Sequence, residues 1–149
     1  MIEIWDGQTD LRPLAEAWAS ECKGEIDIEQ GIRDLTCLKE SDNSDVFVLR
    51  HIFTPERDGC VGHHVVGAMG ITILDMFFTK DTYSAVRYWY VLPKYRSKAQ
   101  SLISYACQWS KEMACTKMMI CENKLSVPCA DFYKAMGFEE FETVYIGDL

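Results

Sequence analysis

The sequence predicts an α/β fold in which one twisted, mixed and largely antiparallel sheet is flanked by helices. Two helical patterns come first, a run of strand-like segments follows, and the chain then alternates strand, helix, strand, helix and strand. The chain has 149 residues, 48% of them hydrophobic, which is enough to fill one core. We therefore expect a single domain spanning residues 1–149.

The first 40 residues contain two patterns typical of amphipathic helices. Apolar side chains recur at helical spacing over residues 11–22, with Asp10 placed to cap the helix and Pro13 confined to its first turn. A weaker pattern of the same kind covers residues 28–38, and the turn-like sequence SDNSD follows it.

Three strand-like segments come next. Residues 45–53 and 60–75 are expected to form a hairpin, because TPERDG between them carries proline, charge and glycine. The glycines of the second segment predict bulges or the close approach of another backbone; they are Gly62, Gly67 and Gly70. In the third segment, residues 83–92, alternation should send one set of side chains to each face of the sheet. The two sets are Arg87, Trp89 and Val91, and Tyr88, Tyr90 and Leu92.

The rest of the chain alternates helices with strands. After Pro93, apolar positions at Ala99, Leu102, Ile103, Ala106 and Met113 indicate one face of a helix. A short buried strand is expected at residues 116–121, a short helix at 128–136 ended by Gly137, and a last strand at 141–146.

Composition narrows the class of protein. The seven cysteines are odd in number and form no C-x-x-C pair, so we expect reduced thiols, most of them buried as small hydrophobic side chains. The formal charge of −8 argues against direct binding of nucleic acid and favours cationic partners. Without a signal peptide or an apolar run long enough to span a membrane, the protein is expected to be cytoplasmic.

The most informative stretch is YSAVRYWYVLPKYRSKAQSLI, residues 83–103, where a strand breaks at Pro93 and a basic turn opens a helix. Exposed backbone N–H groups and the positive end of the helix dipole converge at such a turn. The pattern predicts an anion site that suits a phosphate and needs no metal.

The segments VLPKYRSKAQSLI and FYKAMGF together resemble the two signature motifs of the GNAT superfamily, the acyl-CoA-dependent N-acetyltransferases. The resemblance spans residues 83–138, and the order of elements agrees over nearly the whole chain. It implies a GNAT-like sheet and acetyl-CoA as the acyl donor, bound through its pyrophosphate at the turn after the strand.

The resemblance also implies the residues of the site. The turn that corresponds to R/Q-x-x-G-x-G/A consists of Arg96, Ser97, Lys98, Ala99, Gln100 and Ser101. Alanine and serine replace the small glycines of the motif, yet both leave the backbone donors intact. The backbone of Tyr90, Val91 and Leu92 would bind the pantetheine arm and polarise the thioester carbonyl. Asn123 resembles an asparagine that often touches the cofactor.

Tyr133 matches the tyrosine that protonates the departing thiolate in many members of the family, and a phenol is chemically suited to that role. The general base stays open, because Ala85 occupies the position where some members carry a glutamate. The candidates by chemistry are Asp75, Glu122, His63 and His64, and ordered water is an alternative.

The resulting prediction is an enzyme that moves an acetyl group from acetyl-CoA to a primary amine by direct attack. Its acceptor would be cationic: a protein lysine or N-terminus, a polyamine or an aminosugar. Neither a membrane nor a metal is expected to take part, and a homodimer stays open. The alternative is a catalytically inert protein of the same fold, which the substitutions at Ala85, Ala99 and Ser101 favour.

Overall fold

The computed structural model describes residues 1–22, 26–53, 62–75, 80–121 and 128–140. Its strands are β1 (Ile2–Ile4), β2 (Ser44–Phe53), β3 (Gly62–Asp75), β4 (Thr82–Val91) and β5 (Lys117–Ile120). Its helices are α1 (Arg12–Glu21), α2 (Ile28–Glu40), α3 (Ala99–Glu112) and α4 (Ala130–Ala135), with a 3₁₀ helix at Pro93–Lys98.

The five strands form one mixed sheet in the order β1-β2-β3-β4-β5. The first four strands pair antiparallel, whereas β4 and β5 pair in parallel. A parallel pair needs a crossover, and the 3₁₀ helix and α3 provide it. The predicted fold class is confirmed.

Helices cover both faces of this sheet. On one face α1 and α2 build a core around Trp5, Leu14, Leu35, Val48 and Tyr90. On the other face α3 packs its apolar side on the sheet, and its buried residues there are Ala99, Leu102, Ile103 and Ala106. Met113, which the helical pattern placed on the same side of α3, lies just past the helix end and is 40% exposed.

An aspartate carboxylate accepts a backbone N–H at the start of each of the two N-terminal helices. Asp27 caps α2 by accepting the Gln30 backbone N–H at 2.9 Å. Asp10, predicted to cap α1, is not its cap residue: α1 begins at Arg12 and Leu11 holds the cap position. Asp10 lies one residue before the cap and accepts the Arg12 N–H at 2.9 Å.

A β-bulge interrupts β4 at Arg87. Tyr88 pairs with Gly70 and Val86 pairs with Ile71, so Arg87 has no partner in β3 and its side chain is exposed. Beyond the bulge, Trp89 and Val91 contact the α3 core while Tyr88 and Tyr90 contact the α1 and α2 core, as alternation predicted. The bulge therefore sets which aromatic side chains reach each face at the end of β4.

Two glycines of β3 lie where another chain segment comes close, as predicted. A Cβ on Gly67 would stand 3.1 Å from the Tyr90 carbonyl oxygen and 2.9 Å from Val91 Cγ2. A second bulge sits beside it, since Val66 has no partner between Leu49 and Arg50 of β2. At Gly70 the neighbours are side-chain ends of α2, with Leu38 Cδ1 at 2.8 Å.

The expected burial of the cysteines is wrong. Of the six in the described residues, Cys37 and Cys121 are exposed and the other four are only partly buried. They occupy helix ends, strand ends and the rims of helix faces, where small apolar side chains stay half-covered. The strand β5 is likewise half-buried rather than buried.

Several predicted features lie outside the described residues. They are the hairpin connection at 54–59, the last strand at 141–146, Cys60, Glu122 and Asn123. Among the described helices, none combines the length and the apolar character needed to cross a membrane.

Candidate active site

The sheet opens between β4 and β5. The two strands pair only from Tyr83 opposite Lys117 to Val86 opposite Ile120, and β4 then continues to Val91. A cavity of about 610 Å³ occupies this opening. Its walls come from the end of β4, the C-terminal end of α1, the start of α3 and residues 128–133.

The edge of β4 that faces the opening carries backbone N–H and C=O groups that could bind a ligand. In the described part of the chain, β4 pairs with β5 no further than Val86, while its other edge stays bound to β3 as far as Val91. Backbone N–H and C=O groups of an unpaired strand edge bind an extended ligand that carries amides. Of the three residues predicted for this role, Tyr90 and Val91 line the cavity. Leu92 is not among the described lining residues, and its N–H donates to the Val66 carbonyl oxygen at 2.9 Å.

Aromatic side chains form the wall on the α3 and α4 side. Trp89 donates its Nε1–H to the Tyr133 hydroxyl at 2.8 Å, and the Trp89 ring stacks on Phe132 at a centroid distance of 6.0 Å. The hydroxyl of Tyr133 therefore accepts a hydrogen bond from a side chain of the sheet, and a phenol hydroxyl can act as both acceptor and donor. The α4 helix that carries Tyr133 is followed by Gly137 at φ 86°, a conformation that favours glycine.

A polar network forms the wall on the α1 side. Glu21, the last residue of α1, accepts hydrogen bonds from the Tyr90 hydroxyl at Oε1 and from the Arg96 guanidinium at Oε2. All three residues line the cavity. Above them Trp18 packs edge-on against Tyr88, with ring centroids 5.3 Å apart.

The network sets the charge of its members. Partial burial acts to raise the pKa of Glu21, but the hydrogen bonds from Tyr90 and Arg96 outweigh it, and the net pKa is lowered. Burial, together with the hydrogen bond to Glu21, raises the pKa of Tyr90. The Glu21 hydrogen bond raises the pKa of Arg96. The site therefore contains a carboxylate, a neutral phenol and a guanidinium at neutral pH.

The residues predicted to bind phosphate after Pro93 do not all lie at the cavity. Arg96 and Ala99 line the cavity, and Ala99 is 5% exposed. Ser97 and Lys98 are exposed, and Lys98 Nζ lies 5.9 Å from the centre of the Tyr95 ring. Gln100 and Ser101 line a separate hollow against Ile2. The 3₁₀ helix runs directly into α3, whose first turn has no side-chain cap.

The structure does not bring the described candidate bases to the cavity. Asp75 is exposed and pairs with Thr82, at the far end of β4. His63 and His64 are exposed near the end of the β2–β3 hairpin, where His64 stacks on Phe53. Ala85 is 2% exposed.

Sequence reasoning missed two participants. Glu21 was assigned only to a helix, because its partners Tyr90 and Arg96 lie 69 and 75 residues further along the chain. Trp89 was predicted to pack in the sheet, and its hydrogen bond to Tyr133 also joins distant segments. A signal existed only for Trp89, since a half-buried indole N–H normally finds a partner.

The fold and the opening between parallel strands define an acetyltransferase architecture, and comparison with known proteins agrees. The sequence matches the acetyltransferase (GNAT) family over residues 12–138. The chain therefore belongs to the GNAT acetyltransferase family, as its motifs predicted. No curated protein matches the sequence.

Several solved structures share this fold. The ribosomal-protein-alanine N-acetyltransferase of Brucella melitensis biovar Abortus 2308 aligns with a TM-score of 0.72 at 17% identity, covering 100% of this chain and 99% of that one. An aminoglycoside 6′-N-acetyltransferase from Acinetobacter haemolyticus gives a TM-score of 0.70 at 17% identity, covering 100% and 97%.

A third similar structure contains a ligand. It is AAC(6′)-Iy in complex with the bisubstrate analogue CoA-S-monomethyl-acetylneamine, with a TM-score of 0.69 at 19% identity, covering 100% of this chain and 97% of that one. Family membership implies acetyl-CoA as the acyl donor. The residues here fit such a group. Beyond Val86 the β4 edge is not paired with β5 in the described part of the chain and suits the amide-bearing arm, and Arg96 provides a cation in the cavity wall.

Proposed function

We propose that this protein is an N-acetyltransferase that moves the acetyl group of acetyl-CoA to a primary amine of a cationic acceptor. The observation that carries the proposal is the cavity between β4 and β5. It is lined both by the end of β4, which among the described residues does not pair with β5, and by Tyr133. Direct attack forms the C–N amide bond, breaks the C–S bond, takes one proton from the amine and gives one to the thiolate sulfur.

The backbone of β4 would hold and activate the acyl donor. Bound acetyl-CoA supplies the acetyl group as a thioester, which is reactive without a metal. The backbone along Tyr90, Val91 and Leu92 remains the proposed support of its arm. The Leu92 N–H already donates to the Val66 carbonyl at 2.9 Å, so by strand alternation the Val91 N–H is the donor that would stabilise the charge developing on the acyl oxygen. Because β3 pairs with β4 along its other edge, the Val91 donor is held in place before any ligand binds.

The turn and helix start after Pro93 would bind the phosphates. Arg96, Ser97, Lys98, Ala99, Gln100 and Ser101 remain the proposed residues, with backbone N–H groups as the main donors. Asn123 remains a proposed contact as well. Ala99 at the motif's glycine position is 5% exposed and packs in the α3 core, so we expect its small side chain to leave the backbone donors of the turn accessible.

Tyr133 would act as the general acid. Trp89 positions its hydroxyl at the cavity by donating a hydrogen bond to the oxygen, and a phenol O–H can protonate the departing thiolate. For removal of the amine proton we propose ordered water or Glu122. Asp75, His63 and His64 all lie away from the cavity, whereas Glu122 is outside the described residues.

The acceptor class follows from charge. The protein carries a formal charge of −8, which attracts a protonated amine and raises its encounter rate. Protein lysines or N-termini, polyamines and aminosugars all fit this description. The named neighbours act on ribosomal protein and on aminoglycosides, which are amine-bearing molecules of two of these kinds.

The proposed function is tested by calorimetry with acetyl-CoA and by thiol release with a panel of amines. We expect wild type to bind acetyl-CoA, and Lys98→Glu to weaken that binding by about tenfold or more, since hydrogen bonds to charged groups contribute about 1.5–3 kcal/mol. Lys111→Glu makes the same charge change at the exposed far end of α3 and is the control. Absence of binding would instead support the inert alternative.

A further inference from the structure

The network at the end of α1 suggests how the acceptor is held. Glu21 is the carboxylate at the cavity wall on the α1 side, and it stands on the face of the sheet opposite to Tyr133. The opening between β4 and β5 joins the two faces, so a group held by Glu21 and a group protonated by Tyr133 would meet in the middle. This arrangement suits direct attack, because the incoming amine and the leaving thiolate must lie on different sides of the acetyl carbon.

Glu21 has capacity left for another ligand. Each carboxylate oxygen offers two acceptor sites, and Tyr90 and Arg96 use one on each oxygen. The rings of Trp18 and Tyr88 stand in the same wall, and aromatic faces attract cations. These groups match the chemistry of a primary ammonium.

Arg96 connects this carboxylate to the proposed phosphate site. Its guanidinium contacts Glu21, yet its position belongs to the turn that the motif assigns to the pyrophosphate. While Arg96 pairs with Glu21, the charge of the carboxylate is balanced and its pull on an ammonium is weak. A diphosphate nearby would compete for the guanidinium, because Arg pairs strongly with phosphate oxygens.

We propose that Glu21 is the carboxylate that holds the acceptor's ammonium group, and that binding of the acyl donor prepares it by drawing Arg96 away. This inference rests on the proposed function. In it, the ion pair between Glu21 and Arg96 links the binding of the two ligands. The two ligands become positively coupled, so each strengthens the binding of the other by the same factor.

The test uses calorimetry with CoA and spermidine as probes, on wild type and on Glu21→Gln. The variant should bind CoA at least threefold more tightly, because Arg96 no longer has to break an ion pair with Glu21 before it binds the phosphates. It should bind spermidine at least tenfold more weakly in the presence of CoA. Misfolding would weaken both ligands, so opposite changes identify the proposed role.

Glu16→Gln is the matched control, since Glu16 is exposed on the same helix and the change removes the same charge. It should alter neither affinity by more than about twofold, which also corrects for general attraction of spermidine to an acidic protein.

A second variant tests the coupling. In wild type, saturating CoA should tighten spermidine binding at least fivefold, and in Arg96→Gln this factor should fall to about one. Wild type that binds CoA but holds spermidine equally well in Glu21→Gln would overturn this inference and leave the proposed function standing. Wild type that binds no CoA would remove the proposed function itself.

Discussion

At the scale of single residues, the site depends on pairs that join distant parts of the chain. Trp89 fixes the Tyr133 hydroxyl, and Tyr90 with Arg96 fixes the Glu21 carboxylate. Each pair links a side chain of a helix to the end of β4 or the turn after it. The strand end is therefore the common support of both walls of the cavity.

Replacing Tyr133 with phenylalanine removes the proposed acid and keeps the ring. We expect turnover to fall by about 100-fold or more, the lower end of what a positioned general acid contributes. The dissociation constant for acetyl-CoA should stay within twofold, because the backbone of β4 is untouched. Steady-state kinetics and calorimetry measure the two quantities.

Tyr105→Phe is the control for that variant, since Tyr105 packs on Phe47 at a centroid distance of 5.2 Å, away from the cavity. An equal loss of turnover in both variants, or a large loss of acetyl-CoA affinity in Tyr133→Phe, would contradict the assigned role.

Glu21 also predicts how stability depends on pH. Its pKa in the folded protein lies below the ordinary value of 4.5, because the hydrogen bonds from Tyr90 and Arg96 outweigh the effect of burial. The ionised Glu21 carboxylate stabilises the folded protein fully at pH values above that ordinary pKa. This stabilisation is lost as pH falls through the lower pKa of the folded state. The melting temperature of Glu21→Gln should therefore change less than that of wild type between pH 6 and about pH 3.

Circular dichroism melts at several pH values measure this difference, with Glu16→Gln expected to follow wild type. Identical pH profiles for wild type and Glu21→Gln would show that the network does not favour the ionised carboxylate.

At the scale of elements, the sequence predicted most of the helices and strands but not the place where the sheet opens between β4 and β5. Periodicity and turn residues are local, and they located α1 to α4 and β2 to β5 within two residues at their boundaries. The three-residue strand β1 was not predicted, because so short a segment carries no periodicity. The bulge at Arg87 and the end of pairing at Val86 depend on neighbouring strands. The Glu21 network was invisible for the same reason, whereas the motif led to Tyr133 directly.

The two glycines of β3 make a matched pair for testing how β4 is supported. Gly67→Ala would press on backbone at the Tyr90 carbonyl, whereas Gly70→Ala would meet only side-chain ends of α2. We expect Gly67→Ala to cost about 1–3 kcal/mol of the free energy of unfolding, and Gly70→Ala to cost less.

Urea denaturation gives both unfolding free energies, and calorimetry on the folded variants adds a second readout. Gly67→Ala should also weaken acetyl-CoA binding, since it displaces the strand end proposed to hold the arm. A larger cost at Gly70, or full acetyl-CoA affinity in Gly67→Ala, would contradict this view of β4.

At the scale of the whole molecule, the acidic charge and the open sheet act together. The charge of −8 should raise the local concentration of a cationic acceptor, while Arg96 and Lys98 give one end of the site the opposite sign. Added salt screens both attractions. Raising NaCl from about 50 to 500 mM should therefore increase the KM for spermidine several-fold while kcat changes little, and unchanged KM would show that charge plays no part.

The central claim is that the opening between β4 and β5 binds the acyl donor. A crystal structure of the protein soaked with acetyl-CoA tests it most directly. We predict density for the phosphates at Arg96–Ser101 and for the arm along Tyr90–Leu92, with the sulfur near the Tyr133 hydroxyl. Density at another surface, or an empty opening in crystals held at millimolar acetyl-CoA, would contradict the account.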